Sequence, residues 1–388
     1  MNVGVLGGGL QGIEAAYLLK KAGHKVIMLD KKPDPPAKGL SDHFFCFDLL
    51  RAEEWQLNSF NCLVEVIIPA TENLDALEAM ERVAQRYHKI FCHDSAAYNI
   101  SSNKIYSNRL FTQLELPRPL PWPRAQFPFI VKPSRGSGSK DVIVVSTVRE
   151  LEEVLAPVKN PCGDLIVEEF LKGPSYSIEV AAVKGKGTAY ITTLLHFDEQ
   201  FDCKRVVFPS DLDKAGQVFL QSIALKLAEE LHLTGVMDLE VIDTTEKLKV
   251  LEIDARLPSQ TPTVVYHASG INLVTLLLEA FLSRRISSTD DKEKGKKAVI
   301  YEHLYCQERK LFFPGEHILA SARDLFLTKN FFGADEAITN YKPFSHNNSW
   351  VATIIITGET EPAAWEKRRK MLQEMEALLH LSLSGQNI

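Results

Sequence analysis

The stretch that decides the fold runs from Val236 to Pro262. It reads Val-Met-Asp-Leu-Glu-Val-Ile-Asp at 236–243 and Lys-Val-Leu-Glu-Ile-Asp-Ala-Arg-Leu-Pro-Ser-Gln-Thr-Pro at 249–262. Apolar and charged residues alternate along both parts, which predicts two short strands joined by the polar turn at 244–247. The apolar positions that suit a core are Met237, Leu239, Val241, Val250, Leu251 and Ile253.

The charged side chains of this stretch fall on one face of the predicted hairpin. Residues two apart share a face of a strand, so Asp238 and Glu240 lie together on the first strand. For the same reason Glu252, Asp254 and Arg256 lie together on the second. A solvated sheet face is the ordinary explanation of alternating charge. Here, however, the acids have few matching bases and would repel one another unless a cation lay between them.

Mg²⁺ is the natural cation for such a cluster, because it takes carboxylate oxygens and completes its coordination with water and phosphate. The hairpin therefore predicts a metal–phosphate site, provided that another part of the chain binds phosphate.

The bulk properties exclude several classes of protein. A chain of 388 residues suits two or three domains. Its net charge of −6 argues against nucleic-acid partners. No apolar run is long enough to span a bilayer, and a strand rather than a signal peptide opens the sequence. The six cysteines are scattered, without a Cys-x-x-Cys pair, which favours a reducing compartment. We therefore expect a soluble, cytoplasmic protein with no membrane partner.

The first 30 residues contain a glycine motif. Strand Val3–Leu6 leads into Gly7-Gly8-Gly9-Leu10-Gln11-Gly12, a helix at about 13–22 and strand Val26–Asp30. The glycines match G-x-G-x-x-G, and Asp30 stands where a ribose-binding acid would. Small residues are also needed wherever a first strand turns into a first helix. Dinucleotide binding and a purely structural role therefore both remain open.

A second hydrophobic strand, Val64–Ile68, leads to Glu72 at the start of another helix. The ligand crevice of a parallel sheet lies at the carboxyl ends of its strands. Residues 1–95 are therefore predicted to form a small parallel α/β domain, with Gly8–Gln11 and Glu72 facing its crevice.

The middle of the chain contains a candidate anion site. Strand 129–133 carries Lys132 near its end and is followed by the Gly/Ser-rich loop Ser134–Lys140. Small residues with free backbone N–H groups beside a lysine form an anion nest, although a flexible hairpin tip has the same composition. Strand 164–170 then ends in Glu168-Glu169-Phe170-Leu171, and strand Ser175–Val183 follows it.

Taken in this order, these segments resemble the ATP-grasp superfamily of carboxylate–amine ligases, in which two α+β subdomains hold ATP between them. The resemblance extends from Gly7 to about Asn272. It implies an α/β and α+β protein with an ATP-grasp fold behind an N-terminal doubly wound domain like that of biotin carboxylase. The implied divisions are a substrate- or nucleotide-binding domain at 1–95, a lid subdomain at 96–183 and a metal-binding subdomain at 184–388.

The resemblance also implies ATP, two Mg²⁺ ions and a set of site residues. The implied ATP-binding residues are Lys104, Lys132, Ser137, Gly138, Ser139, Glu168, Glu169, Phe170 and Leu171. The lysines would neutralise phosphates, the loop would close as a lid, and Glu168–Leu171 would read adenine. Glu240, Glu252 and Asp254 would hold the metal, with Asp238 as an alternative to Glu240. Arg256 would steady the acyl phosphate and the tetrahedral oxyanion.

A closer resemblance rests on five motifs. They are Leu10-Gln11-Gly12-x-Glu14-Ala15-Ala16-Tyr17, Gly235-Val236-Met237-Asp238, Glu252–Thr263, Ser269-Gly270-Ile271-Asn272-Leu273 and Tyr301-Glu302-His303. These motifs are similar to those of the 3-methylornithine–lysine ligase family of pyrrolysine biosynthesis. Members of that family join the α-carboxyl of (3R)-3-methyl-D-ornithine to the ε-amine of L-lysine with ATP and Mg²⁺. The resemblance implies 3-methyl-D-ornithine, or D-ornithine, and L-lysine as substrates here.

The sequence departs from the implied pattern at three places. Gly9 stands where the family can carry a lysine, which leaves any nucleotide contact of the glycine loop open. Gly173-Pro174-Ser175 replaces a segment in which an acidic residue is common. The metal motif reads Glu-x-Asp where many members have Glu-x-Asn, which adds one negative charge.

Substrates with two amino groups need an acid-rich pocket. By resemblance, the lysine-binding residues are Leu10, Gln11, Glu72, Arg256, Ser259, Gln260 and Thr261. The candidates for the ornithine side are Ser177, Glu179, Asp198, Asp202, Glu302 and His303. Asp198 and Asp202 could instead be surface acids, and His303 could be a core histidine with satisfied hydrogen bonds.

Three other functions compete with this interpretation. The first is an ATP-grasp ligase for other amino acids, such as a dipeptide or D-alanine ligase. The second is an NAD(P)-dependent oxidoreductase, which Gly7–Gly12 and Asp30 support but which leaves the lysines and the hairpin acids unexplained. The third is a non-catalytic nucleotide sensor, which would not need Arg256. Residues 306–346 predict no definite element and are the candidate surface for a possible homodimer.

Overall fold

The computed structural model describes residues 1–158, 164–244, 246–287, 296–343 and 349–383. The first part of the chain forms a five-stranded parallel sheet in the order β3-β2-β1-β4-β5. Its strands are β1 (Asn2–Leu6), β2 (Lys25–Asp30), β3 (His43–Cys46), β4 (Val66–Pro69) and β5 (Ile90–Phe91). Its helices are α1 (Leu10–Lys21), α2 (Glu54–Leu63) and α3 (Leu74–Arg86). The apolar runs in β1, β2 and β4 fit a sheet that is covered on both faces.

This sheet confirms the predicted parallel α/β fold of the first part of the chain and corrects two element boundaries. Helix α1 begins at Leu10 rather than near residue 13, because the glycine turn is tighter than expected and Gly9 already serves as the N-cap. Strand β4 begins at Val66 rather than Val64, since α2 runs on to Leu63.

The next segment forms a small three-stranded antiparallel sheet in the order β7-β6-β8. The elements here are α4 (Ser95–Ser101), α5 (Lys104–Gln113), β6 (Phe129–Pro133), β7 (Ile143–Val145), α6 (Val148–Leu155) and β8 (Leu165–Glu169). Its core is small and consists of Phe129, Val131, Val145 and Leu151. A small core suits a subdomain that carries a loop over a ligand site.

The rest of the chain forms an eleven-stranded sheet, with the main order β13-β12-β9-β10-β11-β14-β18-β17-β16. The strands are β9 (Ser175–Val183), β10 (Lys186–Phe197), β11 (Cys203–Phe208), β12 (Gly235–Asp243), β13 (Leu248–Asp254), β14 (Ala298–Gln307), β15 (Lys310–Phe312), β16 (Phe326–Phe331), β17 (Ala334–Thr339), β18 (Ser349–Gly358) and β19 (Ser382–Leu383). The helices are α7 (Lys214–Glu230), α8 (Thr261–Ser269), α9 (Leu273–Leu282), α10 (His317–Ala320) and α11 (Glu361–Leu379).

Strand β9 pairs with β10 and β12 and therefore belongs to the large sheet. A boundary at residue 183 would separate this strand from its partners, so sheet membership changes before Ser175. The segment 306–346, which predicted no element, contains β15, α10, β16 and β17. Residues 290–297 are mostly charged, which predicts a surface loop, and most of this segment lies outside the described residues.

The N-terminal domain packs directly on helices α8 and α9. Leu18 of α1 shares one hydrophobic core with Val264 and Leu273. The Asn272 side chain donates a hydrogen bond to the Leu18 carbonyl (2.8 Å), and the Thr263 N–H donates one to the Glu14 carboxylate (2.6 Å). This docking holds the first glycine loop beside the segment that follows β13.

Within the described ranges, no single helix is long and apolar enough to cross a membrane. The bent pair α8–α9, with an angle of 100° between the helices, meets that test only when its two helices are taken together.

Candidate active site

The predicted hairpin is present as β12 and β13. Its antiparallel register sets Asp238 opposite Asp254 and Glu240 opposite Glu252, so the four carboxylates share one face. Strand β12 ends at Asp243 and β13 begins at Leu248, which confirms the predicted turn. Residue 245 of this turn lies outside the described ranges. Five of the six predicted apolar positions, all except Leu251, are buried in the core.

Leu251 departs from the prediction because β13 contains a bulge. Glu240 pairs with Glu252, but the next residue, Val241, pairs with Val250. Leu251 is therefore an extra residue in the strand and is not turned into the core. It is half-buried and lines a cavity together with Glu240 and Glu252. Period-two alternation cannot reveal such an insertion.

Two of the four carboxylates have basic partners. Lys104 Nζ lies 2.7 Å from Glu252 Oε1 and also donates a hydrogen bond to the Gly136 carbonyl. Arg256 lies 2.6 Å from Asp254 Oδ2 and 2.7 Å from Glu72 Oε1. Asp238 and Glu240 form no salt bridge with any described residue.

The charge imbalance shows in the ionisation of the acids. Burial, together with repulsion by Asp254, raises the pKa of Asp238 well above its usual value. Burial and repulsion by Glu252 raise the pKa of Glu240 to about 8. Burial, offset by Arg256, raises the pKa of Asp254 to about 7. For Glu252, burial is outweighed by Lys104 and Lys132, which lower its pKa.

A divalent cation fits this donor set, because it would relieve the repulsion that raises these pKa values. Asp238 Oδ1 and Asp254 Oδ1 are buried and have no hydrogen-bond partner among the described residues. In the same ranges no group of three or more His, Cys, Asp or Glu side chains is arranged to hold a metal ion by itself. Mg²⁺ does not require one, since it keeps water and phosphate oxygens in its coordination shell.

A cavity of about 830 Å³ lies between the three-stranded sheet and the large sheet. Most of the predicted ATP-binding residues line it: Lys104, Lys132, Ser137, Gly138, Ser139, Glu169, Phe170 and Leu171. Leu251, Ile242, Leu194 and Ile130 add apolar surface, and Glu240 and Glu252 also line the cavity. The combination of apolar walls, lysines and carboxylates suits a nucleotide with its metal.

Glu168 is the exception among the predicted ATP-binding residues. It is almost fully buried on β8, where its carboxylate lies 2.5 Å from Lys132 Nζ and accepts a hydrogen bond from Asn108. It does not line the 830 Å³ cavity, because successive side chains of a strand point to opposite faces and Glu169 takes the cavity side. The Glu168 side chain therefore holds Lys132 in place, and its predicted contact with adenine stays a prediction.

The loop Ser134–Lys140 is closed over the site. The Ser137 hydroxyl donates to Glu72 Oε1 (2.5 Å), and the Ser139 hydroxyl donates to the Phe201 carbonyl (2.6 Å). Gly138 has a φ of +65° and lies against the His317 ring, where a Cβ atom would collide with the imidazole. The loop thus joins the N-terminal domain to the large sheet, as a closed lid would.

A second cavity of about 170 Å³ begins under this lid. It contains the predicted substrate residues Leu10, Gln11, Glu72, Asp202, Arg256, Ser259, Gln260 and Thr261, together with Asp238 and Asp254. It shares Glu240, Glu252 and the lid residues 137–139 with the 830 Å³ cavity. The carboxylate hairpin is therefore the place where the two cavities meet.

Four predicted ornithine-side residues, one of them His303, do not reach either cavity. Ser177 and Glu179 lie beside Glu240 and Asp238 in the sheet but are fully buried, and the Ser177 hydroxyl donates to Glu179. Glu302 is also fully buried and is paired with Arg205 and Arg368. Its carboxylate is neutralised by two arginines that are remote in sequence, which the local pattern could not show.

The contacts of Asp198 and His303 favour structural roles, although Asp198 also lines the 830 Å³ cavity. Asp198 accepts hydrogen bonds from the backbone N–H groups of Gln200, Asp202 and Gly315 and so organises its loop. His303 is buried between Thr353 and Gln260, and burial lowers its pKa to about 4. It is a core histidine with both ring nitrogens hydrogen-bonded.

The structure adds site residues that the sequence did not suggest. Glu316 and His317 line the 170 Å³ cavity, and Lys204 and Arg205 line the 830 Å³ cavity. The basic pair Lys204-Arg205, directly after an acidic stretch, was a usable signal for an anion-binding wall. Glu316 and His317 had no such signal, because they follow a segment without clear periodicity.

The first glycine loop is closed by the protein's own atoms. Asp30 accepts hydrogen bonds from the Gly8 N–H (2.7 Å) and the Lys32 N–H (2.8 Å), one on each carboxylate oxygen. A Cβ atom on Gly8 would lie 2.7 Å from the Pro35 ring, whereas Gly9 faces open space. Asp30 is thus used inside the loop, which removes the main support for the dinucleotide interpretation.

The fold and the site define an ATP-grasp enzyme, and residues 101–260 match the ATP-grasp domain family model. The fold is also that of the biotin carboxylase domain of 2-oxoglutarate carboxylase from Hydrogenobacter thermophilus, a dimer solved with MgADP, ADP and bicarbonate. The TM-score is 0.72 at 14% identity, over 96% of this chain and 89% of that chain.

Sequence comparison narrows the class to a family. The chain is 38% identical to the 3-methyl-D-ornithine–L-lysine ligase of Methanosarcina barkeri over 326 residues, which cover 82% of this chain and 84% of that protein. It is 37% identical to the ligase of the same name from Methanosarcina acetivorans, with the same coverage of 82% and 84%. The chain belongs to the family of 3-methyl-D-ornithine–L-lysine ligases and is an ATP-dependent ligase that forms a carbon–nitrogen bond.

Proposed function

We propose that this enzyme joins the α-carboxyl group of (3R)-3-methyl-D-ornithine, or of D-ornithine, to the ε-amine of L-lysine in pyrrolysine biosynthesis. ATP is consumed, and ADP and phosphate are released. The observation that carries the proposal is the meeting of the two cavities at Glu240 and Glu252. A nucleotide in the larger cavity would present its terminal phosphate to an amino acid in the smaller one.

The chemistry explains why the phosphate end must face the substrate. A carboxylate and an amine do not condense readily in water, so the carboxylate is first phosphorylated to an acyl phosphate. The amine then attacks the acyl carbon and phosphate leaves. Both steps depend on positioning and on neutralising negative charge, for which no covalent catalyst is required.

The charged residues of the larger cavity fit the first step. Lys104 and Lys132 line it and would offset phosphate charge. Each lysine already has a carboxylate partner, Glu252 and Glu168 respectively, and these partners fix the direction of the two ammonium groups. Backbone N–H groups of the lid Ser137–Ser139 would cover the phosphates and exclude water.

Glu240, Glu252 and Asp254 are the residues that would hold magnesium, and we propose two ions. When bound, Mg²⁺ would neutralise phosphate charge and align the transferred group. Asp238, which lines only the smaller cavity, is the alternative ligand to Glu240.

Arg256 fits the second step. Its guanidinium is held by Asp254 and Glu72, while its Nε is buried without a hydrogen-bond partner in the described chain. A buried, fixed donor of this kind can stabilise the negative charge that develops on the tetrahedral oxygen.

Two further properties belong to the proposal. A cytoplasmic location is supported by the five described cysteines, which are all free. A homodimer is supported only by analogy to the dimeric biotin carboxylase domain, with residues 306–346 as the candidate surface.

The proposal is tested by incubating the protein with ATP, Mg²⁺, L-lysine and either D-ornithine or its 3-methyl form. ADP is followed by chromatography and the product by mass spectrometry. We expect ADP and an isopeptide in equal amounts. When L-lysine is omitted, we expect no isopeptide and only the ADP that slow ATP hydrolysis produces. Absence of the isopeptide would refute the substrate assignment, and AMP in place of ADP would exclude the acyl-phosphate route.

A further inference from the structure

Glu316 is an acidic residue that the proposed chemistry does not yet use. It is half-buried, lines the 170 Å³ cavity and forms no salt bridge with any lysine or arginine in the described ranges. Its carboxylate accepts a hydrogen bond from the Ser259 hydroxyl (3.2 Å) and another from the Gln260 side chain, and both partners are uncharged. Burial raises its pKa, and the neighbouring Asp202 adds to the rise. A cation in the cavity would relieve both effects.

The position of Glu316 is fixed by the backbone on either side of it. The Glu316 N–H donates to the Cys203 carbonyl (3.0 Å), and the His317 N–H donates to Asp202 Oδ2 (3.0 Å). His317 Nδ1 lies 2.9 Å from the other oxygen of Asp202. Asp202 therefore has a basic partner within the protein, whereas Glu316, beside it in the same cavity wall, has no lysine or arginine partner among the described residues.

Gln11 provides independent evidence for a ligand at the same place. It lines the same cavity and is nine-tenths buried, yet its Nε2 group has no hydrogen-bond partner among the described residues. A buried amide donor of this kind requires an acceptor. An acid without a lysine or arginine partner and an unpaired amide donor in one small cavity match the ammonium and carboxylate groups of an amino-acid head group.

The orientation of the substrate follows from the two ends of this cavity. Glu240 and Glu252 belong to both cavities and mark the reacting end, whereas Gln11, Ser259 and Glu316 line only the smaller one. L-lysine reacts through its ε-amine, which a stem of four methylene groups separates from the α-carbon. Its head group must therefore lie away from the reacting end. The side chain of an ornithine could satisfy Glu316 but has no carboxylate for Gln11.

We infer that Glu316 is a specificity residue that binds the α-ammonium group of the amine substrate, L-lysine, while Gln11 binds its α-carboxylate. This inference rests on the proposed function and adds a residue and a role to it. The lid couples to this site, because Gly138 packs on His317 and Ser139 hydrogen-bonds the residue before Asp202. The head group is thus recognised at a wall that the closed lid touches.

The test compares L-lysine with 6-aminohexanoate, which keeps the reacting amine and the carboxylate but lacks the α-ammonium group. The wild-type enzyme is expected to prefer L-lysine by about 10- to 100-fold in kcat/KM, the effect of one hydrogen bond to a charged group. In Glu316→Gln the KM for L-lysine should rise by a similar factor and the preference should vanish, with the KM for ATP unchanged.

Two further variants serve as controls. Glu316→Asp keeps the charge and should retain most of the preference for L-lysine. Glu199→Gln removes one charge from an exposed side chain of the neighbouring loop and should behave as wild type. A general loss of folding would lower the activity with both substrates by the same factor. It could not by itself abolish the preference for L-lysine.

The inference is overturned if Glu316→Gln keeps the wild-type preference. It is also overturned if the wild type uses both amines equally well, and in that case isopeptide formation would still uphold the proposed function. If the wild type forms no isopeptide with L-lysine, the proposed function fails and this inference fails with it.

Discussion

Two regions of this chain look like ligand sites in the sequence, but only one of them lines both cavities in the structure. The first glycine loop, Gly7–Gly12, matches a dinucleotide motif, yet Asp30 and Pro35 fill the space beside Gly8. The hairpin β12–β13 matches no nucleotide motif, yet its face opens into both cavities.

The glycine motif and the carboxylate cluster differ in the neighbouring atoms that each requires. Glycines require only that some atoms approach the backbone closely, and those atoms can belong to the protein itself. Four carboxylates on one face require positive charge, and Lys104 and Arg256 partner only two of them. A cluster of unbalanced charges is therefore a better indication of a ligand site than the spacing of glycines.

The largest effect is expected at the hairpin. Glu252→Gln should lower kcat by at least about 100-fold, because the change removes a proposed metal ligand from the place where phosphate charge would develop. The circular dichroism spectrum should stay unchanged. Glu246→Gln, at the exposed tip of the same hairpin, is the matched control and should keep wild-type turnover. Normal activity of Glu252→Gln would show that the metal assignment is wrong.

Substitutions in the glycine loop should change the stability of the protein but not its affinity for nucleotide. Gly7 has a φ of +109°, and a Cβ atom there would collide with the Ala70 carbonyl. Gly7→Ala should therefore lower the free energy of unfolding by about 2 kcal/mol or more. Gly9→Ser is the control, since Gly9 is the N-cap of α1 and faces open space. It should be neutral or slightly stabilising.

Urea unfolding measures the stability of these two glycine variants, and titration calorimetry measures their affinity for MgADP. We expect the affinity to change by less than about twofold in both variants. If either variant lost MgADP binding while it remained folded, the loop would be part of the nucleotide site and the contrast with the hairpin would fail.

The sequence predicted those parts of the site that depend on local pattern. The shared face of Asp238, Glu240, Glu252 and Asp254 follows from alternation, and the structure confirms it. The bulge at Leu251 could not be predicted, because an inserted residue leaves no trace in a short apolar–polar repeat.

Other failures came from partners that are distant in sequence. The sequence predicted Glu302 to be a pocket residue, but in the structure it is buried and paired with Arg205 and Arg368. Glu168 sits in the predicted hinge segment, but Lys132 of the adjacent strand holds it inside the sheet. Which acid is neutralised and which is free depends on tertiary structure, and a single sequence does not give that information.

The central claim is that the hairpin carboxylates bind the metal of a metal–nucleotide complex. Glu240 is the best residue for testing this claim, because it forms no salt bridge with a described residue. Its replacement therefore leaves no lysine or arginine without its partner. Repulsion by Glu252 raises the pKa of Glu240 on top of the effect of burial, so Glu240→Gln should not weaken the fold in the absence of metal.

The measurement is the affinity for ADP with Mg²⁺ and with EDTA, by titration calorimetry, in the wild type and in Glu240→Gln. The wild type should bind ADP at least about 10-fold more tightly with Mg²⁺, and Glu240→Gln should lose most of that gain while its affinity in EDTA is unchanged or higher. If Glu240→Gln keeps the full magnesium dependence, the hairpin is not the metal site.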